Sequence, residues 1–174
     1  MVPGEGRGQR GASFLASRYF SKMRIWIDAD AAPREVKEVV YRAAKRLGLD
    51  TILVANQSMT VPPAYPMVSA VRVDGGPDVA DDHIAENATA GDLVVTQDIP
   101  LAARLVPEGV VVLDVRGTEH TEATIGERLS VRDFMESLRS SAVATSGPPP
   151  YDARAKRQFA SALDRALTRM TRES

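Results

Sequence analysis

The chain has no cysteine among its 174 residues, which excludes a disulfide framework, a thiolate nucleophile and a cysteine-ligated zinc site. Neither sign of charge dominates: 22 basic residues stand against 23 acidic ones, a formal net charge of −1. Bulk electrostatics therefore do not announce a nucleic-acid binder, and any basic surface must be local. No apolar run approaches the ~20 residues of a membrane span, and the Phe14-Leu15-Ala16 run is too short for the core of a signal peptide. What remains, with 44% hydrophobic and 26% charged residues, is the composition of a globular protein of one-domain size, expected to be soluble and cytoplasmic.

Residues 1–22 are rich in Gly, Arg and Ser and carry no sustained apolar period, so they are expected to form a disordered extension, with Met23 a plausible true start. Their Gly6-x-Gly8-x-x-Gly11 matches a dinucleotide fingerprint in letters only, because no strand precedes it and no helix follows. The domain is then expected over 23–174.

The stretch that organises the rest is Arg24-Ile25-Trp26-Ile27-Asp28-Ala29-Asp30, a short apolar strand ending in two carboxylates. Pro33 opens a helix in which Val36, Val39, Val40, Ala43, Ala44 and Leu47 recur at helical spacing and which Gly48 ends. Its other face carries Arg34, Lys37, Glu38, Arg42, Lys45 and Arg46. Such a face is ordinarily just solvated, and only proximity to the acidic strand end would make it a phosphate-contacting surface. Thr51 to Ala55 is a second buried strand, which makes a βαβ unit and a parallel sheet. Met67 to Val73 is a third strand, Leu93 to Thr96 a fourth and Val110 to Leu113 a fifth. The expected fold is therefore α/β: a three-layer domain on a mainly parallel five-stranded sheet, with helices at the C-terminal end. Ser130 to Asp133 resembles a capping box that opens a helix through Leu138. Residues 146–150 form a stiff Pro-rich linker, and a last helix buries Phe159, Leu163, Ala166, Leu167 and Met170. The basic face of that helix (Arg157, Arg165, Arg169, Arg172) is the best candidate for a nucleic-acid contact, beside the reading of a solvated face.

Acids recur at the strand ends. The first strand delivers Asp28 and Asp30, the fourth Asp98 and the fifth Asp114, while the helix between the third and fourth opens with Asp78, Asp81 and Asp82. Each has a dull explanation as a turn, a cap or a favourable charge at a helix N-terminus. The repetition does not: it predicts one rim collecting negative charge, which is costly unless a cation or proton neutralises it. The two histidines add little: His83 lies beside the acidic helix start, and His120 lies in a loop near the fifth strand.

In order along residues 24 to 170, Ile27-Asp28-Ala29-Asp30-Ala31-Ala32-Pro33, Val54 to Gln57, Asp78 to Asp81, Gly91 to Ala102 and Arg132 to Met135 resemble the YaiI/YqxD family of uncharacterised bacterial proteins. The resemblance implies a fold similar to PIN domains, a group of metal-dependent ribonucleases. PIN motifs match Asp28, Asp81 with Ile84 and Ala85, and Thr96 with Asp98. The chain departs from the family in carrying Ala32 where members usually have cysteine, so chemistry needing that thiol is absent. The further acid that many PIN nucleases carry in a middle helix has no counterpart other than Asp30 or Asp78.

The resemblance implies a site for Mg²⁺ or Mn²⁺ on Asp28, Asp81 and Asp98, with Asp30 and Asp78 as further or water-mediated ligands, Thr96 hydrogen-bonding a ligating carboxylate, and RNA as substrate. Hard cations prefer such oxygen donors. Two other classes stand beside it. In a haloacid-dehalogenase-like phosphohydrolase Asp28 would attack phosphorus and Asp30 would handle the proton, but the only lysine after Thr96 is the remote Lys156. In a non-catalytic RNA- or protein-binding module the metal site would be vestigial.

Overall fold

The computed structural model describes residues 22–173, so the extension expected over 1–22 lies, apart from Lys22, outside the described residues. The first strand, β1 (Ile25–Asp28), is followed by α1 (Arg34–Leu47), β2 (Thr51–Ala55), β3 (Val68–Arg72), α2 (Val79–Asn87), β4 (Leu93–Val95) and α3 (Ile99–Leu105). After a single 3₁₀ turn come β5 (Val111–Leu113), β6 (Glu119–His120), α4 (Glu122–Ser140) and α5 (Ala153–Arg172). The sheet order is β3-β2-β1-β4-β5-β6, with the first five strands parallel and the two-residue β6 antiparallel at the edge. The expected five-stranded parallel sheet is thus present, extended by one short strand.

Alternation along β1 divides the core between two helical layers. Ile25 and Ile27 face the side on which α1 packs Val36 and Val40 and α5 packs Phe159, Leu163 and Leu167. Trp26 faces the other side, with Ile84 of α2 and Leu101, Ala102 and Leu105 of α3. Parallel sheets with both faces covered are built from near-continuous apolar strands, and β1, β2 and β4 read that way. In α1 the inward stripe includes Tyr41 rather than Leu47, which is exposed. Gly48 ends that helix in the left-handed region at φ 65°, where a side chain would be strained, and its N–H bonds to the Ala44 carbonyl.

One helix begins well before its expected start. Thr121 and Thr124 form the capping box of α4, so Ser130 lies in the helix interior with its hydroxyl on the Gly126 carbonyl. None of the residues of α4 is buried. The last helix runs alongside α1 in the same direction, as the pairs Lys156–Glu38 at 3.9 Å and Arg46–Asp164 at 3.2 Å require. Its Arg165, Arg169 and Arg172 therefore lie toward the far end of α1 from the acidic strand ends, and Arg169 pairs with Glu119 at 2.6 Å.

The N-terminal ends of β1 and β4 are tied by one carboxylate. Asp92 is buried and accepts hydrogen bonds from the Arg24 N–H at 3.0 Å, the Arg24 guanidinium at 2.9 Å, the Trp26 indole at 3.0 Å and the Thr89 N–H at 3.0 Å. That guanidinium also stacks over Trp26, 5.1 Å from the ring centroid.

Candidate functional site

The direction of strand addition reverses between β1 and β4: β2 and β3 build outward on one side of β1, and β4 lies on the other. Such a switch point opens a crevice at the C-terminal strand ends, where ligands of open α/β sheets bind. Asp28 ends β1 there, and Asp98 stands just beyond β4.

Thr96 joins the two. Its buried hydroxyl donates to Asp28 Oδ2 at 3.2 Å and accepts the Asp98 N–H at 3.0 Å. Asp98 in turn caps α3, accepting the Leu101 N–H at 2.8 Å. Asp81 reaches the pair from the first turn of α2, close enough for the charges of both Asp98 and Asp28 to act on its carboxyl. Burial pushes the Asp81 pKa up to about 7, and the nearby carboxylates of Asp98, Asp28 and Asp78 add to the effect. Asp28 is also raised, chiefly by burial; the Thr96 hydroxyl opposes that shift, and the charges of Asp98 and Asp30 reinforce it. Below about pH 7 Asp81 therefore carries a proton, which relieves part of the charge crowding that a cation would otherwise relieve.

The remaining predicted residues divide. Asp30 lies in the turn after β1, its charge felt by Asp28, and accepts the Asn56 N–H at 2.7 Å, which fixes the loop after β2 to this rim. Asp78 precedes α2 in a left-handed conformation, φ 65°, without a capping bond from its side chain, and its charge reaches Asp81. Asp82 points elsewhere, pairing with Arg104 at 2.6 Å. Asp114 also stays outside the cluster: it closes its own loop by accepting the N–H groups of Arg116 at 2.9 Å and Thr118 at 2.8 Å. The expectation that all these acids join one rim is corrected at Asp82, which pairs with Arg104, and at Asp114, whose own loop supplies its donors. None of Asp28, Asp30, Asp78, Asp81 and Asp98 takes part in an ion pair among the described residues.

The donor set is all carboxylate, which suits a hard divalent ion. Among the described residues, however, no three His, Asp or Glu groups surround a point closely enough to hold a metal as they stand.

One residue, Arg132, gains a place that sequence reasoning did not give it. Arg132 of α4 is near enough to Asp98 to feel its charge, while its guanidinium bonds Asp133 at 3.0 Å and Glu136 at 2.9 Å. Its signal was its position in the Arg132-Asp133-Phe134-Met135 motif. His120 is buried, and neither ring nitrogen has a hydrogen-bond partner among the described residues. Burial lowers its pKa, Asp114 opposes that shift and Arg128 adds to it. His83 lies edge-on to Trp26, ring centroids 6.3 Å apart.

Comparison with known proteins agrees with the motifs. The family described as "Uncharacterized BCR, YaiI/YqxD family" matches residues 26–169. A UPF0178 protein of Trichlorobacter lovleyi is 55% identical over 152 residues, covering 87% of this chain and 98% of its own. One from Myxococcus xanthus is 56% identical over 151 residues, covering 86% and 97%. One from Citrifermentans bemidjiense is 52% identical over 151 residues, covering 87% and 97%. No solved structure matches the chain. With most of its length matched, the chain belongs to the YaiI/YqxD family.

Proposed function

We propose that this member of the YaiI/YqxD family binds Mg²⁺ or Mn²⁺ at the joined ends of β1 and β4 and acts there as a PIN-like, metal-dependent ribonuclease in the cytoplasm. The observation that carries the proposal is the convergence of Asp28, Asp81 and Asp98 from three separate elements at the switch point, with no ion pair to any of them among the described residues. Carboxylates crowded together repel one another, and a protein gains nothing from that arrangement until a cation or proton arrives. Asp28, Asp81 and Asp98 are the ligands of choice, and Asp30 and Asp78 serve directly or through water. Thr96 holds Asp28 in orientation. A bound divalent ion supplies a polarised water and neutralises charge on the phosphate. Asp81, titrating near 7, is placed to give up its proton as the ion arrives.

A second reading, a non-catalytic binding module with a vestigial site, is favoured by the lack of a ready three-group cage among the described residues. The phosphohydrolase alternative loses its lysine, since Lys156 pairs with Glu38 on the α1–α5 side. A cleavage panel of single-stranded and structured RNA, with Mn²⁺ and with chelator, separates the first two readings. Cleavage that needs the ion and disappears in Asp98→Asn is the expected result. A reproducible absence of cleavage with Mn²⁺ favours the binding module, and cleavage that survives both chelator and substitution removes this site from the chemistry.

A further inference from the structure

The basic face of α1 begins one turn beyond Asp30, and the structure shows what lies against it. Arg34, Lys37 and Arg42 line a cavity of about 350 Å³ together with Tyr41 and the loop that follows β2, which contributes Met59 and Tyr65. That volume falls within the range of about 300–1,000 Å³ of sites for small ligands. The loop is anchored at its start to the carboxylate rim through the Asn56–Asp30 bond, so groove and rim share a border.

Three features separate this wall from an ordinary solvated helix face. Its cations are short of carboxylates: among the described residues neither Lys37 nor Arg42 makes an ion pair, and the Lys37 ammonium bonds the Met59 sulfur at 3.9 Å. Its one carboxylate, Glu38, is already shared by Arg34 at 3.2 Å and Lys156 at 3.9 Å. Its floor is aromatic, with the Tyr41 and Tyr65 rings tilted at 5.4 Å and the Lys45 ammonium 5.7 Å from the Tyr65 centroid. Unpaired cations interleaved with aromatic rings are what a single nucleic-acid strand requires, phosphates for the former and bases for the latter. A duplex, whose bases are stacked on one another, leaves the rings unused.

We infer that this groove seats a single-stranded RNA segment leading to the carboxylate rim, with Lys37 and Arg42 on its phosphates and Tyr65 against a base. The choice of ligand rests on the reading of the rim given above. From Arg34 to Arg42 the helix advances about 12 Å at 1.5 Å per residue, enough for a short run of nucleotides. The net charge of −1 limits strong non-specific attraction elsewhere.

The test is fluorescence anisotropy of a labelled oligouridylate with the full chain in chelator, so that binding is measured apart from any metal-dependent cleavage. Lys37→Gln with Arg42→Gln is expected to weaken binding about tenfold. It should also reduce the slope of log affinity against log salt by about 1.4, since each single-strand phosphate that a cation neutralises adds roughly 0.7 to that slope. Tyr65→Leu is expected to weaken binding while leaving the salt slope unchanged. Thermal melts of each variant check that it is folded; should Tyr65→Leu unfold, Tyr65→Phe with the Lys37/Arg42 pair decides the matter through the salt slope alone. Affinity unchanged in the double variant, or an RNA duplex bound as tightly as the single strand, overturns the groove. No binding of the oligouridylate by a wild-type protein that Mn²⁺ stabilises overturns the groove and leaves the metal site standing, whereas the expected variant effects without any response to Mn²⁺ support the groove and sink the metal reading.

Discussion

Asp92 and Asp81 are the same side chain at opposite ends of one sheet, and their surroundings differ in every respect that matters. Asp92, at the N-terminal edge, is buried and accepts from a guanidinium, an indole and two backbone N–H groups, all within 3.0 Å. Asp81, at the C-terminal edge, has no N–H donor and no ion pair among the described residues, and the charges that act on it are those of other carboxylates, Asp98, Asp28 and Asp78. A carboxylate that donors and an opposite charge satisfy is structural: it locks β1 to β4. One that only like charges surround is held ready for something the fold does not supply. An acidic residue in a sheet crevice therefore acquires meaning from what it lacks.

Removing Asp92 should give the largest effect. Asp92→Ala strands the Arg24 charge and the buried Trp26 indole together, and breaking a buried pair of this kind costs about 3–5 kcal/mol. Denaturant unfolding should show that loss whether or not Mn²⁺ is present. A cost below about 1 kcal/mol would place Asp92 among the ordinary surface acids.

A smaller effect of opposite sign is expected at Asp81. Its folded pKa is raised from 3.8 to about 7, so the stabilisation from its proton is complete below its unfolded value and is lost as the pH rises through about 7. The apo protein should lose stability over that interval, by about 1 kcal/mol once solvent screening of a partly exposed group is allowed for. Asp81→Asn should be flatter across it and more stable than wild type at pH 8. His120 works against the trend below its ordinary pKa of about 6.5: its lowered folded value removes stability as the solution acidifies. Melts of wild type and Asp81→Asn from pH 5 to 8 share that histidine contribution, so their difference isolates the carboxyl. A difference that does not vary with pH contradicts the proposed crowding.

The smallest change belongs to Asp82, whose exposed pair with Arg104 has the weak energetics of surface ion pairs, about 0–1 kcal/mol. Asp82→Asn should leave unfolding and any Mn²⁺ response within that margin. A lost metal response there would enlarge the site to include it.

Much of the scaffold was legible because its signals are local. An apolar run stopped by an acid gives β1 and β4, Pro33 and Gly48 bracket α1, and the alternation of strand and helix forces a parallel sheet. The start of α4 was hidden by its use of Thr121 and Thr124, hydroxyl caps with no acid, while no residue of that helix is buried deeply enough to impose a strong period. Asp98 and Asp114 look alike in the chain, each following a short apolar strand. What separates them is downstream: Pro100 continues Asp98 into a helix, while Gly117, at φ 88°, lets the Asp114 loop fold back so that its own N–H groups satisfy the carboxylate. The groove along α1 could not be read at all, because Tyr65 reaches Tyr41 only through a fold in which the loop after β2 returns over the helix.

The central claim, that the C-terminal rim is a divalent-cation site, is tested most directly by thermal unfolding of wild type and Asp28→Asn with and without Mn²⁺. An ion that binds only the folded state stabilises it by about 2.7 kcal/mol at a hundredfold excess over Kd. The wild-type protein is predicted to melt higher with Mn²⁺. Asp28→Asn keeps the side-chain shape and removes one of the crowded charges, so its apo form should equal or slightly exceed wild type while most of the Mn²⁺ gain disappears. A wild-type protein indifferent to Mn²⁺, or a mutant whose gain is intact, would contradict the account.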